Sequence, residues 1–153
     1  MVHKDFLDFI ELLERKNIKY LVVGGYAFTV LVFPRNTGDI DFFISNDIEN
    51  AKKVLEAINE FGFGSIGLTV EDFMNPNMVV QLGFPPRRID IITEISGVNF
   101  DEAWSNRIRN NGLGIEANFI GLDEFVKNKL ASARAKDLAD VDEIRKRKVK
   151  PKK

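Results

Sequence analysis

Apolar positions at the start of the chain recur at helical spacing. Phe6, Phe9, Ile10 and Leu13 follow an i, i+3, i+4, i+7 rule, which predicts an amphipathic helix over residues 4–16 with Asn17 as its stop. The period then changes. Tyr20–Val23 is an uninterrupted apolar run, the pattern of a strand buried on both faces. It ends in Gly24-Gly25, where the backbone can turn sharply or approach a ligand. Residues 26–33 return to a helical pattern that Pro34 terminates. Residues 34–44 read as a turn and a short strand. Alternation puts Asp39, Asp41 and Phe43 on one face and Ile40, Phe42 and Ile44 on the other, which is a good core face.

Asn46 or Asp47 can cap the next helix, which runs to about Phe61, buries Ile48, Ala51, Val54, Leu55 and Ile58, and ends at Gly62 and Gly64. Residues 69–74 form a helical turn that opens a loop through Asn75-Pro76-Asn77. Residues 78–82 and 88–93 predict two strands joined by Gly83-Phe84-Pro85-Pro86. An acidic helix start at residues 99–102 reaches about Arg107, Asn111-Gly112 marks a tight hairpin turn, and residues 115–120 predict a strand. Asp123 caps a helix carrying Phe125, Val126 and Leu130, and Leu138, Val141 and Ile144 continue its apolar stripe. The order is that of an α/β (α+β) domain, a mixed central sheet flanked by helices, over residues 1–145. Residues 146–153 read as a basic, disordered tail.

Composition narrows the chemistry. A chain of 153 residues with 44% apolar and 29% charged positions is an ordinary globular protein with room for a core. Its net charge of -1 makes any nucleic-acid contact local; Arg87, Arg88, Arg107, Arg109 and the tail are the residues for one. There is no cysteine, which excludes disulfides and thiolate metal sites. The single histidine, His3, excludes histidine-based zinc sites and a Ser/His/Asp triad. No apolar run approaches the ~20 residues of a membrane span, and the opening residues are unlike a signal peptide, so a cytoplasmic location is expected.

The candidate chemistry is therefore carboxylate chemistry. Asp39 and Asp41 lie side by side on one strand face, either as a solvated edge or around a cation. Asp90 stands between isoleucines in Arg88-Ile89-Asp90-Ile91-Ile92, and needs an ion pair with Arg35, Arg87 or Arg88, hydration or a metal. If the two strands are neighbours, three carboxylates converge. With no histidine or cysteine, they suit magnesium and phosphate chemistry. Gly24-Gly25 is either a tight strand-to-helix turn or a backbone cradle for an anion.

Val23-Gly24-Gly25, Asp39-Ile40-Asp41-Phe42 and Ile89-Asp90-Ile91, in that order, resemble the signature of the nucleotidyltransferase superfamily with the DNA polymerase β-like fold, in its minimal single-domain branch. The version Arg35-x-Thr37-x-Asp39-x-Asp41 is similar to nucleotidyltransferase-like partners of some toxin–antitoxin systems. Lys129-Leu130-Ala131-x-x-Arg134-x-Lys136-Asp137-x-x-Asp140 resembles the last motif of that branch. The resemblance implies a nucleotidyltransferase that moves a nucleoside monophosphate from a nucleoside triphosphate to a hydroxyl of RNA, protein or a small molecule. Asp39 and Asp41 would hold magnesium, or manganese in its place. Asp90 would complete the metal site and help deprotonate the acceptor. Gly24, Gly25, Arg35, Thr37 and Lys129 would bind phosphate. Two departures stand out: Gly25 replaces a serine that many members carry, and no base-recognition domain is visible, so either the base has few specific contacts or a partner chain completes the pocket; a partner protein or a homo-oligomer is the expected assembly. The resemblance also admits a non-catalytic, antitoxin-like module that binds a partner protein. The alternative for Lys129 and Arg134 is a solvated face of the last helix, paired with Asp137 and Asp140 at helical spacing.

Overall fold

In a computed structural model, which describes residues 2–148, six strands form one mixed sheet in the order β3-β4-β2-β1-β6-β5. The strands are β1 (Tyr20–Val23), β2 (Ile40–Ile44), β3 (Val79–Leu82), β4 (Ile89–Ile92), β5 (Ile108–Asn110) and β6 (Ala117–Phe119). Central β1 pairs antiparallel with β2 and parallel with β6, while β2 pairs parallel with β4. Hairpin partners β3 and β5 close the two edges. The helices are α1 (Lys4–Arg15), α2 (Gly24–Leu31), α3 (Ile48–Ile58), α4 (Val70–Met74), α5 (Phe100–Ser105), α6 (Leu122–Ser132) and α7 (Ala135–Lys148). None of these is long and apolar enough to cross a membrane. The expected mixed sheet with flanking helices is borne out.

Burial decides which faces are covered. Phe6, Phe9, Ile10 and Leu13 of α1 are all buried. Phe9 packs on Phe42 with ring centroids 5.6 Å apart, so the Ile40/Phe42/Ile44 face is a core face as expected. The opposite face is also covered at its far end, where Phe43 meets Phe100 of α5 edge to face at 5.0 Å. The end that carries the aspartates opens onto a cavity.

Several local expectations need correction. Ile48 is exposed, because as the first residue after the Asp47 cap it precedes the turn that meets the sheet, and Leu55 is only half-buried. Gly121, not Asp123, precedes α6, and Asp123 lies in its first turn. The hairpin of β5 and β6 spans a longer loop than a tight Asn111-Gly112 turn. The last helical pattern is two helices: Ala133 adopts φ 56°, and the chain turns before α7. Leu130 and Leu138 are consequently exposed, whereas Val141 and Ile144 are buried. Helix α7 continues through Lys148, three residues into the segment read as a tail; residues 149–153 lie outside the described residues.

Candidate active site

The site begins where β1 becomes α2. Gly24 opens the helix with φ +69°, a conformation that side chains disfavour. A Cβ there would overlap the Asp41 carboxylate, and one on Gly25 would overlap the Thr37 hydroxyl. The glycine pair thus lets an acid from β2 and a hydroxyl from the preceding loop press against the first turn of α2. Val23 supplies no side-chain cap, so the first-turn amides of this eight-residue helix have no side-chain acceptor there.

Register brings the acids together. Val23, Asp41, Asp90 and Gln81 form one row across β1, β2, β4 and β3. Partners in register share a sheet face, so Asp41 and Asp90 are neighbours on the face opposite Phe42. Asp39 lies one residue before β2 on the same side, and it joins them through a third residue. The Arg88 guanidinium binds both oxygens of Asp90 at 2.7 and 3.0 Å and reaches Asp39 at 2.8 Å. Of the ion pairs open to Asp90, the one formed is with Arg88, while Arg35 is drawn elsewhere.

Asp41 forms no ion pair among the described residues. Burial, the adjacent Asp90 and then Asp39 push its carboxyl up to about 7, against the pull of Arg88. No three His, Asp or Glu side chains among the described residues are already gathered for a metal ion. The donor chemistry nevertheless fits magnesium: the acids are hard oxygen donors, and that ion is commonly held by one or two carboxylates plus substrate phosphates. Asp41 and Asp90 supply such a pair, at a place where Gly24 keeps the space beside the carboxylate clear of side chain.

Cations share the site with the acids. A cavity of about 550 Å³ is lined by the glycine pair, the three aspartates and Arg88, and also by Arg35, Lys129, Arg134 and Lys136. Lys129 is buried, not solvated, with its ammonium 3.4 Å from Asp137 and 3.2 Å from Asp140. Arg35 binds Asp140 through two nitrogens at 2.8 and 3.2 Å and stacks over Phe28 at 4.0 Å. Arg134 holds Asp137 at 2.8 Å. Burial pulls Asp137 up, but Arg134 and Lys129 outweigh it and hold the carboxyl below its ordinary range. Asp140 is likewise raised by burial and lowered more strongly by Arg35 and Lys129. Lys136 reaches the cavity with no ion pair among the described residues.

A second cavity, of about 450 Å³, shares Arg35, Asn36 and Thr37 with the first and is otherwise lined in part by Tyr26, Val30 and Leu113. All of the sequence-derived candidates (Gly24, Gly25, Arg35, Thr37, Asp39, Asp41, Asp90 and Lys129) therefore meet at one cavity. Lys136 and Asn36 are not among them, whereas Arg88, two residues before Asp90 on the same strand face, is one of the ion-pair partners expected for Asp90. Two of the arginines considered for nucleic acid are engaged locally: Arg109 pairs with Glu14 at 2.8 Å, and Arg107 lies over Trp104 at 3.9 Å.

Residues 4–148 match the model of a family described as nucleotidyltransferase of unknown function (DUF6036). No curated protein matches by sequence. Among solved structures, the lincosamide antibiotic adenylyltransferase LnuA with lincomycin bound superposes with a TM-score of 0.61 at 16% identity, over 95% of this chain and 97% of that one. A Thermotoga maritima protein, TM1012, named as a candidate nucleotidyltransferase, gives 0.60 at 14% identity, over 95% and 94%. At such identities the likeness is one of fold.

Proposed function

Because the chain belongs to this nucleotidyltransferase family, we propose that it is a magnesium-dependent enzyme that moves a nucleoside monophosphate from a nucleoside triphosphate to a hydroxyl acceptor. The observation that carries the reading is the pairing of Asp41 with Asp90 across adjacent parallel strands, beside the glycines that open α2. Asp41 and Asp90, with Asp39, would hold the ion. When bound, magnesium supplies positive charge to the triphosphate and to the oxygens between which phosphorus moves.

The chain's own groups do the rest. The first-turn amides of α2 and the Thr37 hydroxyl receive phosphate oxygens. Lys136 neutralises phosphate charge, together with Lys129 and Arg35. Asp90 takes the proton of the attacking hydroxyl. The acceptor oxygen bonds to the α-phosphorus, the α–β phosphoanhydride bond breaks, and pyrophosphate leaves with the electron pair.

The second cavity, beyond the shared Arg35-Asn36-Thr37 segment, gives the acceptor a place, and its size suits a small molecule. LnuA, whose fold this chain shares, is a lincosamide antibiotic adenylyltransferase. Small hydroxyl compounds are therefore the first acceptors to try, ahead of RNA and protein. The test is incubation with each α-labelled nucleoside triphosphate, magnesium and separate pools of small molecules, RNA and protein. Label transfer in one pool is expected. Its absence from all would favour the second reading, a partner-binding module that keeps the fold without the chemistry. The ion pairs of Arg88 with Asp39 and Asp90 are the observation on that side.

A further inference from the structure

Three carboxylates and one guanidinium share the acidic side of the cavity, so two negative charges are left over when all are ionised. A fixed structural salt bridge would match its charges; this one does not. Arg88 nevertheless holds the place between Asp39 and Asp90 that a cation would take, with both ends of its fork engaged. It leaves the sheet at the residue before β4. Two other cations of the cavity are differently placed. Lys129 is buried between Asp137 and Asp140, and Arg35 is clamped by Asp140 and stacked on Phe28.

From this contrast we infer that Arg88 is a stand-in cation. It holds the acids in the metal-free protein, sets the affinity for the divalent ion by competing with it, and passes to the triphosphate once displaced. The inference rests on the nucleotidyltransferase reading and deepens it. Guanidinium binds carboxylate and phosphate with the same two-pronged geometry, so the exchange replaces one set of charge-assisted hydrogen bonds by another. A positive charge a few ångströms from the ligating oxygens weakens cation binding by Coulomb repulsion, and occupied lone pairs add to the effect.

The test is Mn2+ binding, followed by electron paramagnetic resonance on chelator-treated full-length protein, for wild type, Arg88→Met and Arg88→Lys. Arg88→Met should bind Mn2+ about tenfold more tightly or better, and Arg88→Lys, which keeps the charge but not the fork, should fall between. A magnesium complex of a non-hydrolysable triphosphate should show the reverse order, weakest with Arg88→Met. Equal Mn2+ affinity in all three proteins overturns the role of Arg88 while leaving the proposed reaction standing. Absence of Mn2+ and nucleotide binding from all three overturns both. Thermal melts in chelator confirm folding, and should Arg88→Met fail to fold, the shift in Arg88→Lys alone decides.

Discussion

Two groups of aspartates, one lining the cavity and one paired with cations that line it, are built on opposite principles. Between α6 and α7, Asp137 and Asp140 meet three cations: Arg35, Lys129 and Arg134. Between β2 and β4, Asp39 and Asp90 share Arg88, and among the described residues no other cation forms an ion pair with Asp39, Asp41 or Asp90. The first pair is held below the ordinary carboxylate range, whereas Asp41 is pushed up to about 7. The paired group ties the last two helices to the loop before β2 and stabilises the fold. The under-paired group costs stability in the free protein, which is the condition expected of a site whose counter-charge arrives with its ligand.

The comparison breaks most sharply under substitution. Asp41→Asn with Asp90→Asn should lower label transfer by about a thousandfold or more in the proposed reaction, with circular dichroism unchanged. Loss of structure along with loss of transfer would place these acids with the structural pair instead. Next in size, Asp137→Asn should cost about 2 kcal/mol in urea unfolding, because it removes one of the two buried acids that hold the Lys129 ammonium. Asp41→Asn alone should move the other way, gaining roughly 1 kcal/mol in metal-free protein as a crowded charge is removed. Matching signs for the two substitutions would erase the distinction.

The smallest effect is on pH. Asp137 and Asp140 have folded-state values below their unfolded ones. Their contribution is fully present above the unfolded value and is lost as the pH falls through the folded one. Unfolding midpoints measured from about pH 6 to about pH 3 should fall more steeply for wild type than for Asp137→Asn.

Much of this arrangement was legible in the chain. Alternation along residues 39–44 separated the aspartate face from the Ile40/Phe42/Ile44 face before any strand order was known, and the glycine pair marked the start of α2. What alternation cannot reveal is which strands are neighbours. That Asp41 stands beside Asp90 follows from parallel pairing of β2 and β4, a contact between segments far apart in sequence. Nor does it reveal what covers a face: Phe43 is buried because α5 brings Phe100 over it. The break before α7 was hidden because Ala133, a strong helix former, adopts the left-handed conformation that usually calls for glycine. That break is what buries Lys129 and Asp137 against each other, which removes the alternative of a solvated helix face for Lys129, while Arg134 stays exposed.

The central claim is that the under-paired acids are a receptor for metal-bound triphosphate. Calorimetric titration of a non-hydrolysable nucleoside triphosphate into wild type and Asp41→Asn, each with and without magnesium, tests it most directly. The account predicts binding to wild type only when magnesium is present, and none to a folded Asp41→Asn. Equal binding by both proteins, or binding indifferent to magnesium, would contradict it.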